Sequence, residues 1–207
     1  MNENTISRRD LLQTGALLTL PALLSSTASR GDSAPPPAIV GVSTLGFHEH
    51  SNESLAALLS AQGIRTIQLF LNQSDSRYWA YNGRSDTSSL DNARCRAIAE
   101  TYRNADIAIH SIGVYTNLIH PDAAERAANL AYFEDMMRIG AAMEVHTFIT
   151  ESGHHEPEHP TPGGEYRFQE EVWRRMIATG KELAALAERH NAKVLMEPYF
   201  GSFFASA

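Results

Sequence analysis

Ala192-Lys-Val-Leu-Met-Glu-Pro-Tyr-Phe-Gly201 is the stretch on which the reading of this chain turns. Its apolar run, Val194-Leu195-Met196, delivers one carboxylate, Glu197, to its end. Pro198 then stops any hydrogen-bond ladder, because it has no N–H to donate. A polar, helix-patterned segment precedes the run. The stretch therefore reads as the strand of a βα unit with an acid at its C-terminal end. Ligands and metals bind at that end in barrels and open α/β sheets. A lone Glu there can equally cap a strand in solvent, so its weight depends on whether the layout repeats.

It repeats four times upstream. Ala38–Thr44, Thr66–Leu71, Ile107–Ser111 and Val145–Thr150 are short β-branched or apolar runs that read as buried strands. Helical patterns fill the gaps: Ser51 or Asn52 to Gln62, Leu90–Asn104 with Ser89 as cap, Asp122–Met143, and Phe168–Asn191. Strand starts recur about 40 residues apart, ample for whole βα units, and no short hairpin signal interrupts them. Alternating strands and amphipathic helices predict an α/β fold with a parallel sheet built from right-handed βαβ units. Gly41-Val-Ser-Thr-Leu-Gly46 has the wrong spacing for a dinucleotide turn, which argues against a Rossmann domain.

Two long loops lie at strand ends. Asn72–Ser89 carries Arg77, Tyr78, Trp79 and Tyr81, and its aromatics mark a substrate-facing loop. Glu151–Gly164 includes His154-His155-Glu156-Pro157-Glu158-His159, whose prolines predict an irregular loop with only adventitious metal affinity. His48-Glu49-His50 follows strand one, and His48 is carried as a candidate for substrate contact. His146 reads as a satisfied core or interface histidine, and Met136, Met137 and Met143 as helix core. No Ser/His/Asp arrangement places a nucleophile beside a base.

Composition narrows the partners. The 207 residues, 43% hydrophobic and 20% charged, suit one α/β domain with a sizeable core. A net charge of −7 argues against nucleic acid or an anionic membrane surface as a partner. The single Cys95 rules out an intrachain disulfide and reads as a small, part-buried residue.

The first residues are not fold. Ser7-Arg8-Arg9-Asp10-Leu11-Leu12, then an apolar stretch from Ala16 to Leu24, reads as a twin-arginine-type signal peptide over residues 1–28. The apolar stretch is too short to span a bilayer. Small residues Ser26-Thr27-Ala28 offer a cleavage point, and residues 29–37, with Pro35-Pro36-Pro37, form a stiff linker. The expected location is periplasmic or otherwise extracytoplasmic, without stable membrane association once the signal is removed.

Several motifs together carry a family resemblance. They are Gly41-Val-Ser-Thr44, Gly63-Ile64, His110 at the end of strand three, Asn117-Leu118, Gly140-Ala141, and Met196-Glu197. In order and spacing they resemble the sugar phosphate isomerase/epimerase family, the xylose isomerase-like TIM barrels, whose superfamily includes AP endonuclease family 2. The resemblance implies a (β/α) barrel with a divalent metal (Mn, Mg or Zn) at its C-terminal mouth and a sugar-like small-molecule substrate. It implies Glu197 as metal ligand and catalytic residue, His110 as a catalytic residue at the pocket, and Asn117 and Glu151 around the substrate, where the loop readings above add His48 and Trp79. Strand two carries Gln68 where the family often has Glu. A barrel needs eight units and about 250 residues; the sequence shows about five, so a barrel truncated after strand five is expected. Its edges would be open and available for oligomerisation. Three functional expectations follow: an exported isomerase or epimerase, a catalytically defective fragment with some ligand affinity, or an endonuclease-like nuclease.

Overall fold

A computed structural model describes residues 39–154 and 169–199, all within the compact unit Ala38–Ala207. The expected signal segment and linker lie outside the described residues, as does most of the His/Glu/Pro-rich loop. Five strands form one sheet: β1 (Val42–Ser43), β2 (Thr66–Leu69), β3 (Ala108–Gly113), β4 (Thr147–Thr150) and β5 (Lys193–Met196). Four helices join them: α1 (Asn52–Ala61), α2 (Asn92–Asn104), α3 (Ala123–Ala142) and α4 (Glu170–Arg189). Every neighbouring pair is parallel, and the spatial order is the chain order, β1-β2-β3-β4-β5. A doubly wound sheet reverses its order at a switch point, whereas an order that only advances is the wall of a (β/α) barrel.

The four helices end alike. Gly63, Asp106, Glu144 and Asn191 follow the helix ends with φ of 73°, 60°, 62° and 48°. The next residue in each case, Ile64, Ile107, Val145 or Ala192, donates its N–H back to Leu59, Tyr102, Gly140 or Ala187 at 2.8–3.0 Å. This is the Schellman arrangement, in which an apolar residue after the left-handed one closes the turn and opens the strand. Repeated four times, it gives each βα unit the same entry.

The core lies between sheet and helices. Ile67, Leu69, Ile112, Val114 and Phe148 are buried there, with Val194 and Met196 packed against them from β5. Leu55 and Leu59 of α1, Ile98 and Tyr102 of α2, and Phe133, Met136 and Met137 of α3 close the layer from outside. Phe133 meets Phe148 edge-on at 6.2 Å.

Several boundaries differ from the sequence reading. Asp91, not Ser89, caps α2, accepting from Arg94 N at 2.8 Å, while the Ser89 hydroxyl bonds Tyr78 Oη at 3.2 Å. Strand β1 is reduced to two residues because Thr44 replaces its ladder. The Thr44 hydroxyl accepts from Phe70 N at 2.8 Å and lies 3.2 Å from Phe70 O. His110 does not end β3. The register jumps there, with Ile67 opposite Ile109 and Gln68 opposite Ser111, so His110 is the extra residue of a bulge and the strand runs on to Gly113. His146 is exposed rather than in the core. Cys95, by contrast, is almost fully buried.

Candidate functional site

Strand alternation decides which side chains face away from the helices. Since Ile67 and Leu69 point into the core, Gln68 and Phe70 take the other face; the same parity places Gly113 and Tyr115, Glu151, and Glu197 there. Register levels them. Gly113 pairs with Ile149, and Ile149 with Leu195. Two residues on, Tyr115, Glu151 and Glu197 form a row across the C-terminal ends of three adjacent strands, with neighbours about 5 Å apart.

Each carboxylate in that row meets a tyrosine. Tyr115 Oη donates to Glu197 Oε2 and accepts from Gln68 Nε2 at 3.4 Å. Tyr81 Oη donates to Glu151 Oε2 at 3.2 Å and lies 3.3 Å from His154 Nε2. The Glu197 backbone N–H donates to Thr150 O at 2.7 Å, which fixes the root of the side chain on its neighbour strand.

An aromatic wall stands behind the acids. Phe70 stacks on Tyr115 at 5.4 Å and meets the edge of Trp79 at 5.3 Å; Trp79 lies 6.3 Å from Tyr81. Phe70 can lie there because residue 113 is glycine. A Cβ at Gly113 would stand 2.6 Å from the Phe70 ring. Trp79 Nε1 is buried and has no hydrogen-bond partner among the described residues.

The loop carrying Trp79 and Tyr81 is held at both ends. Asn52 donates from its backbone and from Nδ2 to Asp75 Oδ1 at 2.9 and 2.8 Å, and Tyr102 Oη donates to Asn52 Oδ1 at 3.0 Å. At the far end Arg84 reaches Glu125 Oε2 at 2.9 Å and Asn129 Oδ1 at 2.6 Å.

Electrostatics at this end is negative. Burial raises the Glu151 pKa above its ordinary value, and the Glu197 charge adds to this against the Tyr81 hydrogen bond. Tyr115 is pushed far above the ordinary phenol range, first by burial, then by its bond to Glu197 and by the two carboxylate charges. It therefore stays a neutral hydrogen-bond donor. His154 is buried, which lowers its pKa and favours the neutral imidazole; its Nδ1 has no partner among the described residues.

The residues singled out in the sequence fall in different places. Glu197 and Glu151 share the row, and Trp79 belongs to the wall. Asn117 is 1% exposed and fully engaged: Nδ2 donates to His154 O at 2.7 Å, and Oδ1 accepts from His154 N at 3.1 Å and Ile119 N at 3.3 Å. Its close approach to Gly153, at φ 84°, leaves no room for a Cβ, which would stand 2.4 Å from Asn117 Oδ1. Asn117 thus braces the loop that carries His154. His110 sits on the open face but five residues, about 16 Å of extended chain, before Tyr115, with Nδ1 3.2 Å from Ser111 Oγ. His48 is exposed and paired with Glu49 at 3.0 Å. Among the described residues, no hydrogen bond or ion pair joins either histidine to the two acids.

The sequence reading does not single out Tyr115 or Phe70, and it takes His154 only as part of the His/Glu/Pro-rich loop. The parity of Gly113 and Tyr115 beyond β3 was the available signal for Tyr115. His154, expected in an irregular loop with adventitious metal affinity, is 7% exposed.

The acids also bear on a divalent metal. Glu151 and Glu197 offer hard oxygen donors, but no group of three or more His, Cys, Asp or Glu side chains converges among the described residues. Protein sites for such ions draw on three or more ligands, so these residues alone do not make one.

A parallel wall whose strand order only advances, with acids at its C-terminal ends, defines part of a (β/α) barrel, a fold whose sites lie at the mouth formed by those ends. The model of the xylose isomerase-like TIM barrel family matches residues 56–207, and the chain belongs to that family. Solved structures agree in fold. A provisionally assigned xylose isomerase from Rhodospirillum rubrum is 18% identical, with a TM-score of 0.60 over 78% of this chain and 54% of its own. A D-psicose 3-epimerase studied with D-fructose is 16% identical, at 0.55, over 78% and 53%. A D-psicose 3-epimerase from Clostridium cellulolyticum H10, studied with D-tagatose, is 13% identical, at 0.52, over 74% and 50%. The chain spans about half the length of these structures. No curated protein matches it. Among the described residues no helix is long and apolar enough to cross a membrane.

Proposed function

We propose that the chain acts on an uncharged sugar or polyol as an isomerase or epimerase, with Glu151 and Glu197 working at the carbon next to a carbonyl. The observation that carries this reading is the row of two tyrosine-bound carboxylates against an aromatic wall. Aromatic faces take the C–H face of a sugar ring, while carboxylates and hydroxyls take its O–H groups. In the reaction, a carboxylate removes the proton from the carbon beside the carbonyl. Its return to the opposite face gives an epimer; its delivery to the former carbonyl carbon, with a hydroxyl proton moving to the carbonyl oxygen, gives the isomer.

Glu151 suits that exchange, because a carboxyl raised toward neutral pH both takes and returns a proton readily. Tyr115, held neutral, donates to Glu197 and keeps it oriented. Trp79 and Phe70 exclude water from the apolar side. Glu197 is the residue we assign to a divalent cation, and no step above is routed through the ion. His110 and His48 are assigned to the wider pocket, and Asn117 to holding its floor.

Purified protein incubated with D-fructose and Mn²⁺ in D₂O tests this. Deuterium should enter the positions beside the carbonyl, and Glu151→Gln should abolish the entry. Bound D-fructose without exchange would instead favour a ligand-binding protein lacking turnover. The shortage of converging metal ligands is the observation that keeps that second reading.

We also propose export by the twin-arginine route. Arg8→Lys/Arg9→Lys should leave the protein in the cytoplasmic fraction, and unchanged export would overturn the proposal. Pairing of two copies through the β1 and β5 edges would appear as a dimer mass in light scattering; a monomer mass would exclude it.

A further inference from the structure

We infer that Gln68 and Tyr115 form a one-way hydrogen-bond relay that positions Glu197, so that the amide at position 68 sets which face of the Glu197 carboxylate is presented to ligand. This rests on the reading of Glu197 as a working residue of the sugar site.

The direction follows from donor chemistry. A phenol has one proton to give and an oxygen that accepts. The Gln68 amide Nε2 can only donate, and it faces Tyr115 Oη at 3.4 Å. With its acceptor side occupied, the phenol turns its proton to Glu197 Oε2. Were the amide turned over, Gln68 would compete with a carboxylate for that proton, and the charged acceptor makes the stronger bond. The order Gln68, Tyr115, Glu197 is thus the one the three groups favour.

The relay is mounted rigidly. Tyr115 is 7% exposed and stacked on Phe70, which in turn lies over Gly113. One Glu197 oxygen is therefore held on a fixed post. Among the described residues its carboxylate has no other hydrogen bond or ion pair, which leaves the second oxygen for a ligand. A Glu at 68 would ask for the same phenol proton. It would also bring a third carboxylate to Tyr115, beside a row in which neither Glu151 nor Glu197 pairs with a cation among the described residues.

Four full-length variants test the relay: Q68E, Y115F, E197Q and the exchange Q68E/E197Q. Two readouts are needed. Protein labelled at the tyrosine phenolic carbon reports the hydrogen bonding of Tyr115 by NMR, with Y115F assigning the signal. Tryptophan fluorescence, with Trp79 6.4 Å from Tyr115, reports binding of D-fructose. We expect Q68E, Y115F and E197Q each to weaken D-fructose binding by about tenfold or more, the effect of a lost hydrogen bond to a charged group. Q68E and E197Q should also move the Tyr115 signal. In Q68E/E197Q the phenol again has one donor and one acceptor, so the signal and the melting temperature should return. D-fructose binding should not return, because the carboxylate now stands on the other side of Tyr115.

Recovery of binding in the exchanged variant would show a merely structural contact and overturn the inference. A wild-type Tyr115 signal and wild-type affinity in Q68E would do the same. If the wild-type protein binds no D-fructose, the sugar reading fails by itself. The relay is then decided by the Tyr115 signal alone, and a signal unmoved in Q68E and E197Q overturns it.

Discussion

The two ends of the sheet treat their acids in opposite ways. At the N-terminal ends of the strands, Asp106 pairs with Arg65 at 3.3 Å and Glu144 with Arg103 at 2.7 Å, all well exposed. At the C-terminal ends, Glu151 and Glu197 meet only tyrosine hydroxyls among the described residues. Exposed ion pairs contribute about 0–1 kcal/mol, so the lower acids add little beyond solubility and turn geometry. Glu151 is part-buried and Glu197 exposed; with no cation paired to either among the described residues, Glu151 in particular is held at a cost in stability. A fold keeps such groups where a ligand will use them.

The contrast breaks most sharply under substitution. Glu197→Gln and Glu151→Gln should each lower sugar proton exchange by about 100-fold or more, the usual scale of a lost acid or base. Asp106→Asn and Glu144→Gln should leave the exchange rate within about twofold.

Next in size is the seat of the wall. Gly113→Ala drives a methyl into the Phe70 ring and should cost about 1–3 kcal/mol in urea unfolding. It should also weaken D-fructose binding, since Tyr115 leans on the same ring. Unchanged stability would mean that Phe70 moves aside freely.

The pH response is smaller and has a definite sign. Because the folded state raises the Glu151 pKa above its ordinary 4.5, the folded protein holds a proton there that the unfolded chain has released. Stability should therefore fall as pH rises from 4.5 through the raised value, and the exchange rate should rise as Glu151 loses its proton. Glu151→Gln should flatten this part of the stability curve; an unaltered curve would remove Glu151 as its source.

The smallest effect belongs to the lower end. Arg103→Ala should change stability by less than about 1 kcal/mol. A larger loss would show that the lower ion pairs are structural after all.

How much of this could be read from the residues also divides by region. The wall was legible, because buried strands and helix-terminating turns are local signals: Val194-Leu195-Met196 and Gly63-Ile64 announce themselves within a few residues. Asp106, Glu144 and Asn191 occupy the same left-handed position as Gly63, and there the residue type gives less warning. The acid at Glu197 was visible because a strand must deliver its last residue somewhere. Its partner was not, since Tyr115 lies 82 residues away in sequence and meets Glu197 only through the register of β3, β4 and β5. His110 was misplaced for a related reason: a bulge moves the end of a strand without leaving a local mark. Trp79 was noticed as an aromatic in a long loop, but only the Asn52–Asp75 and Arg84–Glu125 anchors bring it to the mouth.

One measurement bears most directly on the claim that the upper acids, and not the lower ones, do the work. It is deuterium incorporation into D-fructose by the wild-type protein, Glu197→Gln and Glu144→Gln, assayed side by side with Mn²⁺ present. The account predicts exchange in the wild-type protein and in Glu144→Gln, and a loss of about 100-fold in Glu197→Gln. Equal rates in all three, or an equal fall in both variants, would contradict it.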